Sequence, residues 1–119
     1  MSDNQSQALI NQTHVSPNEQ ESSSKLSVNR PLFELGRLVA TPGALELLTR
    51  SQQTPLEFLS RHSSGDWGDC GEHDSRENDL AVKAGYRILS VYRARTGERL
   101  WIITEADRSV TTLLLPSEY

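Results

Sequence analysis

The chain predicts an α+β domain, a small antiparallel sheet packed with two to three short helices, and three observations carry that expectation. The last third, Gly85 to Tyr119, holds three runs rich in β-branched, aromatic and leucine residues separated by turn formers, the pattern of a meander. Ahead of it stand two Thr-Pro helix starts and a third segment opened by an acidic cap. Strands gathered at one end, with helices before them, argue for α+β rather than for an alternating architecture.

Residues 1–30 are dominated by Ser, Asn and Gln, with only Ala8, Leu9, Ile10, Val15, Leu26 and Val28 as larger apolar groups or alanine among them. So little apolar surface does not offset the entropy of ordering the backbone, which predicts a disordered polar tail and a single α+β domain over 31–119. Leu32 to Ala40 reads as a strand that joins the meander as a fourth member, with Gly36 marking a bulge or a close backbone approach.

Thr41-Pro42 supplies an N-cap hydroxyl followed by a proline at the first helical position, where the missing N–H costs nothing. That helix runs through Leu45, Leu47 and Leu48 to about Arg50. Thr54-Pro55 repeats the pattern, with Glu57 placed for a capping box, and its helix carries Leu56, Phe58 and Leu59 to about His62. Ser63 to His73 has no period and three glycines, hence a loop. Asp74 with Glu77 forms a further capping-box pattern, opening a helix that ends before Gly85. In the meander, the runs are Tyr86 to Ala94, Arg99 to Thr104 and Val110 to Leu115. A two-residue Thr96-Gly97 loop would set Tyr92 opposite Trp101 and put Tyr86, Tyr92 and Trp101 on the face opposite Arg87 and Arg93.

The chain has 119 residues and a formal net charge of −4, so no global positive field draws nucleic acid to it. A single cysteine, Cys70, forms no internal disulfide, no apolar run is long enough to span a bilayer, and the N-terminus lacks the pattern of a secretory signal. A cytoplasmic protein without membrane contact is the expectation. Cys70-x-x-His73 is one ligand pair with no second, so no metal and no cofactor is expected. Six acidic residues between Asp66 and Asp79 would raise the Cys70 thiol pKa, the wrong direction for a nucleophile.

Two groups of residues remain as candidate sites. Trp67, flanked by Asp66 and Asp69 in Gly65-Asp66-Trp67-Gly68-Asp69, either anchors its loop in the core or meets a partner. Arg87, Arg93, Arg95 and Arg99 cluster around the first hairpin with aromatic residues among them, a combination that contacts RNA or simply keeps a sheet edge soluble.

His62-x-x-Gly65-Asp66-Trp67-Gly68-Asp69, then Arg87-Ile88-Leu89-Ser90-x-Tyr92, then Trp101-Ile102-Ile103-Thr104-Glu105-Ala106-Asp107-Arg108-Ser109 and Thr111-Thr112-Leu113-Leu114-Leu115-Pro116-x-Glu118-Tyr119, resemble a family of small plasmid- and phage-borne bacterial proteins. Its members are often labelled plasmid-related or type I restriction endonuclease subunit M. The resemblance covers about residues 32 to 119 and implies a mobile-element setting, without supplying an activity or catalytic residues. The methyltransferase label does not fit, because this chain has neither the length for a nucleotide-binding α/β domain nor a cofactor motif.

The expectation that follows is a small acidic, non-enzymatic binding protein that docks on a larger protein complex of restriction, defence or element origin. Its binding residues would be Asp66, Trp67, Asp69, Glu105, Asp107 and Arg108, and the encounter would be salt-sensitive. The alternative is an RNA-cleaving, toxin-like enzyme using the arginine-bearing hairpin, with His62 and Arg93 as its catalytic residues.

Overall fold

Thr41 caps its helix as its sequence context predicts: its backbone is extended and its hydroxyl accepts from the Ala44 N–H at 3.2 Å. In the computed structural model, which describes residues 30–119, the elements run β1 (Arg37–Ala40), α1 (Pro42–Ser51), α2 (Pro55–Ser63), α3 (Glu72–Ala84), β2 (Ile88–Arg93), β3 (Arg99–Thr104) and β4 (Val110–Leu114). A short 3-10 helix, Pro116–Glu118, closes the chain. The polar tail expected over residues 1–30 lies outside the described residues, apart from Arg30. Pro31–Tyr119 forms one compact unit.

The α+β class is as expected, with one difference in strand direction. Strand order is β1-β4-β3-β2; β2, β3 and β4 form the antiparallel meander, but β1 pairs with β4 in parallel, so the sheet is mixed. The direction follows from connectivity, since all three helices lie between β1 and β2 and the chain crosses over on them. The first strand is also shorter than expected. Gly36 precedes it at φ 67, and a Cβ there would collide with the Arg108 and Ser109 carbonyls, the close backbone approach anticipated for this glycine.

Two capping expectations fail. Thr54 makes no side-chain cap bond, and Glu57 instead takes a hydrogen bond from Gln53. The third helix starts at Glu72 on Gly71, leaving Asp74 inside its first turn, where a carboxylate still favours the helix dipole.

The hairpin register differs by one residue. Ala94 N–H donates to the Glu98 carbonyl and Gly97 N–H to the Ala94 carbonyl, with Gly97 at φ 94, so the loop has three residues, Arg95 to Gly97. Val91 therefore faces Trp101, and Tyr92 faces Leu100. Because side chains alternate across the sheet, this step moves Trp101, together with Arg99, to the face of Arg87 and Arg93.

One face of the sheet takes the helices. Ile88, Ser90, Tyr92, Leu100, Ile102, Thr104, Thr111 and Leu113 point into it and are buried, packed with Ala44, Leu47 and Leu48 of α1 and Phe58 and Leu59 of α2. Burying the large aliphatic and phenylalanine side chains among them stabilises by ~1.5–3 kcal/mol each.

Candidate functional site

The residues expected to bind or to catalyse fall into three places. His62, on α2, is 0 % exposed under the Phe33 and Trp67 rings, whose centroids lie 5.3 and 6.0 Å away. Its Nδ1 is 2.6 Å from Ser90 Oγ and its Nε2 2.8 Å from Thr104 Oγ1. The proton inventory fixes the tautomer. Thr111 donates its hydroxyl to the Leu35 carbonyl at 2.7 Å, so it accepts from Thr104, 2.7 Å away. Thr104 has then spent its proton and accepts from His62 Nε2–H, which leaves Nδ1 to accept from Ser90. A one-way chain of four hydrogen bonds thus ties α2 across β2, β3 and β4 to the segment before β1. Burial, with the Arg108 charge adding to it, lowers the His62 pKa to about 3, so the ring is neutral. Arg93 is not beside it: its guanidinium reaches Asp69 at 3.4 Å and donates to the Gly97 carbonyl at the exposed end of β2.

The loop residues form the second place. Trp67 is 5 % exposed, its ring stacked on Phe33 at 6.2 Å and its Nε1–H donated to Asp79 at 3.0 Å. It is the loop's anchor, and a partner cannot reach it. Gly68, at φ 78, lies so close to the Val91 carbonyl that a Cβ would overlap it. That approach lets Val91 N–H donate to the Trp67 carbonyl at 3.0 Å and Asp69 N–H to the Val91 carbonyl at 2.6 Å. Two residues along, the Asn78 side chain satisfies Leu89, donating to its carbonyl at 2.7 Å and accepting from its N–H at 3.2 Å. The outer edge of β2 is thereby capped. Asp66 takes the Arg61 guanidinium at 2.7 Å and the Gly68 N–H, and those bonds hold its carboxyl below the usual range. Cys70 is half-buried and its thiol pKa is raised, by burial first and by Asp74 and Asp69 after it.

Glu105, Asp107 and Arg108 form the third, in the β3–β4 turn. Glu105 lies 3.4 Å from Arg87, Asp107 accepts from the Ser109 N–H at 3.0 Å, and Arg108 donates to the Tyr86 and Ala81 carbonyls at 2.7 and 2.9 Å. Arg108 thus caps the end of α3. This turn and the Asp66–Asp69 loop contact the β2 chain at Tyr86 and Val91, five residues or ~16 Å apart, so the six expected binding residues fall in two clusters rather than one.

What the strand register does assemble is the other face of the sheet. Val39, Thr112, Ile103 and Leu89 lie side by side in one row, and Leu114, Trp101 and Val91 in the next. Arginines stand at both ends: Arg37 and Arg87 beyond the first row, Arg99 opposite Arg93 beyond the second. Tyr119 leans on this face, its ring 5.6 Å from that of Trp101, its hydroxyl taking a hydrogen bond from Arg87 at 2.8 Å. Between them is a cavity of about 240 Å³ lined by Asn78, Arg87, Leu89, Trp101, Ile103 and Tyr119. The Trp101 Nε1–H is buried and has no hydrogen-bond partner among the described residues.

A sheet face free of helices, open to the tail or to another protein, was expected from the sequence; its composition was not, because the expected register, one residue off, put Trp101 on the helix side. The alternation of Leu89 with Val91, Trp101 with Ile103 and Thr112 with Leu114 was legible; the three-residue loop that aligns them was not. Among the described residues no three His, Cys, Asp or Glu side chains gather to hold a metal, and no helix is long and apolar enough to cross a membrane. No family model matches the chain, and neither a curated protein nor a solved structure does.

Proposed function

We propose that the chain is a non-enzymatic binding protein of a mobile genetic element, acting by docking on a larger protein complex of restriction, defence or element origin through the helix-free face of its sheet. The observation that carries this reading is the two apolar rows bordered by arginines, with Val39 exposed, Leu89, Val91 and Trp101 part-exposed and Ile103 and Leu114 buried beneath them, the layout of a protein interface with an apolar centre and a polar rim. The mobile-element setting rests on the sequence resemblance. A protein partner is favoured over RNA because the rows are mainly aliphatic and their one aromatic, Trp101, has the Tyr119 ring against it, whereas single-strand recognition needs open aromatic faces. A sealed, neutral His62 also offers no acid or base to a phosphodiester.

The test is capture of partners by the tagged chain from its native host, at low and moderate salt, read by mass spectrometry. One stoichiometric protein should be recovered, lost on Val39→Asp within the face and kept on Leu56→Asp, an exposed control on α2. Recovery of RNA or ribosomes, or growth arrest on expression that Arg93→Ala relieves, would overturn the reading in favour of a toxin-like enzyme.

A further inference from the structure

The helix-free face is locally basic on an acidic molecule. Its pleat presents Arg37, Arg87, Arg93 and Arg99, while the chain as a whole carries −4. Arg93 and Arg99 face each other directly across β2 and β3, and like charges in that position destabilise a sheet. Glu105, on the same face, offsets Arg87 and Asp69 offsets Arg93, but Arg99 has no acidic partner among the described residues. Further along the face, lined by Arg87 and not by this pair, is the cavity beside Tyr119, large enough for one aromatic side chain. The indole N–H of Trp101, a lining residue, is buried and without a partner among the described residues, and it serves as a reporter of that cavity.

We infer that the partner lays an acidic segment with an aromatic anchor on this face, the anchor entering the cavity beside Trp101 and the flanking carboxylates reaching Arg87 on one side and the Arg93–Arg99 pair on the other. The inference rests on the docking face proposed above and adds the chemistry of what docks. Arg87 and Arg93 are six residues apart on one strand, ~20 Å, so the carboxylates must flank the anchor on both sides rather than cluster on one.

The experiment is an NMR titration of the full-length ¹⁵N-labelled chain, following the Trp101 indole N–H, which is assigned by its persistence in the Trp67→Phe variant. The probes are a capped Asp-Glu-Phe-Glu-Asp peptide, its Lys-Lys-Phe-Lys-Lys counterpart and its Asp-Glu-Ala-Glu-Asp counterpart. The acidic aromatic peptide should move the resonance saturably, with affinity that drops on added salt and falls at least about fivefold on Arg99→Glu, a substitution of an exposed residue that leaves the core untouched. No saturable shift with that peptide, or an equal shift with the lysine peptide, overturns the acidic segment. Equal binding of the alanine peptide overturns the anchor. A single-stranded oligouridylate that moves the resonance at lower concentration than the acidic peptide overturns the protein partner in favour of nucleic acid. If Val39→Asp abolishes partner capture while the acidic peptide leaves Trp101 unmoved, the docking face stands and this inference alone falls.

Discussion

Lowering the pH from neutral to about 5 should destabilise the protein through His62. The ring is neutral in the fold with its pKa lowered to about 3, and in the unfolded chain it returns to 6.5. Above pH 6.5 it is neutral in both states and contributes no pH dependence. As pH falls below 6.5, the unfolded chain takes up a proton that the folded one refuses, so stability drops by ~1.4 kcal/mol per pH unit, levelling off only near the folded pKa. The loss is about 2 kcal/mol by about pH 5 and ~5 kcal/mol over the whole interval, a large share of a small domain's stability. The upper part of the interval is diagnostic, because Asp66, Glu98, Asp107 and Glu118, whose pKa values are lowered in the fold, add their own losses only at more acidic pH. The assay is urea unfolding followed by tryptophan fluorescence between pH 7.5 and 5, where the midpoint should fall by about 1 M. His62→Asn retains one donor and one acceptor but does not titrate; it should lose ~1–3 kcal/mol at neutral pH and flatten this dependence. A wild-type midpoint that is flat over the interval, or an unchanged slope in His62→Asn, would refute the neutral, one-way hydrogen-bond chain.

Two further predictions concern the capped edge of β2. Trp67→Ala should destabilise by ~3–5 kcal/mol, the range for emptying a large buried aromatic site, and Trp67→Phe by about 1 kcal/mol for the lost bond to Asp79; thermal melts by circular dichroism check both. Asn78→Leu should cost ~2–4 kcal/mol, because the Leu89 N–H loses its partner and its carbonyl keeps only the weak Cys70 thiol donor, and hydrogen exchange at the Leu89 amide should rise toward the rate of an open edge while central β3 amides keep more of their protection.

The fold was legible wherever local chemistry decides it. Thr41-Pro42 and Thr54-Pro55 start helices, Gly85 ends α3 in a left-handed conformation, and the three meander runs are strands. What eluded reading depended on partners distant in sequence. The direction of β1 is set by β4, some seventy residues on, and nothing in Arg37–Ala40 distinguishes a parallel neighbour from an antiparallel one. Trp67, between Asp66 and Gly68, carries no local cover, so its sequence left anchor and partner contact both open, and Phe33, His62 and Asp79 decide for the anchor. The histidine that suggested acid–base chemistry is paired by Ser90 and Thr104, inward residues of β2 and β3 whose hydroxyls look incidental in a strand sequence. Polar residues at buried strand positions were the available signal: Ser90, Thr104 and Thr111 sit where an apolar core would place valine or leucine, and three such substitutions on one face require a polar group between them.

These misreadings bear on where recognition can occur. Asp66, Trp67 and Asp69 were candidates for a partner contact as well as for a loop anchor, and they hold β2's edge shut, as Asn78 does at Leu89; a partner that inserted there would have to displace backbone hydrogen bonds already made. The helix side of the sheet is filled by α1 and α2, and the carboxylates of the β3–β4 turn serve Arg87 and the turn itself. The remaining sheet surface is the one that a single extra hairpin residue equips with Trp101 between arginines. Had the loop been Thr96-Gly97 alone, the same sequence would have turned Trp101 toward the helices and left an aliphatic, arginine-edged strip with no aromatic and no unpaired indole N–H. The length of that one loop therefore determines whether Trp101 lies on this face or turns toward the helices.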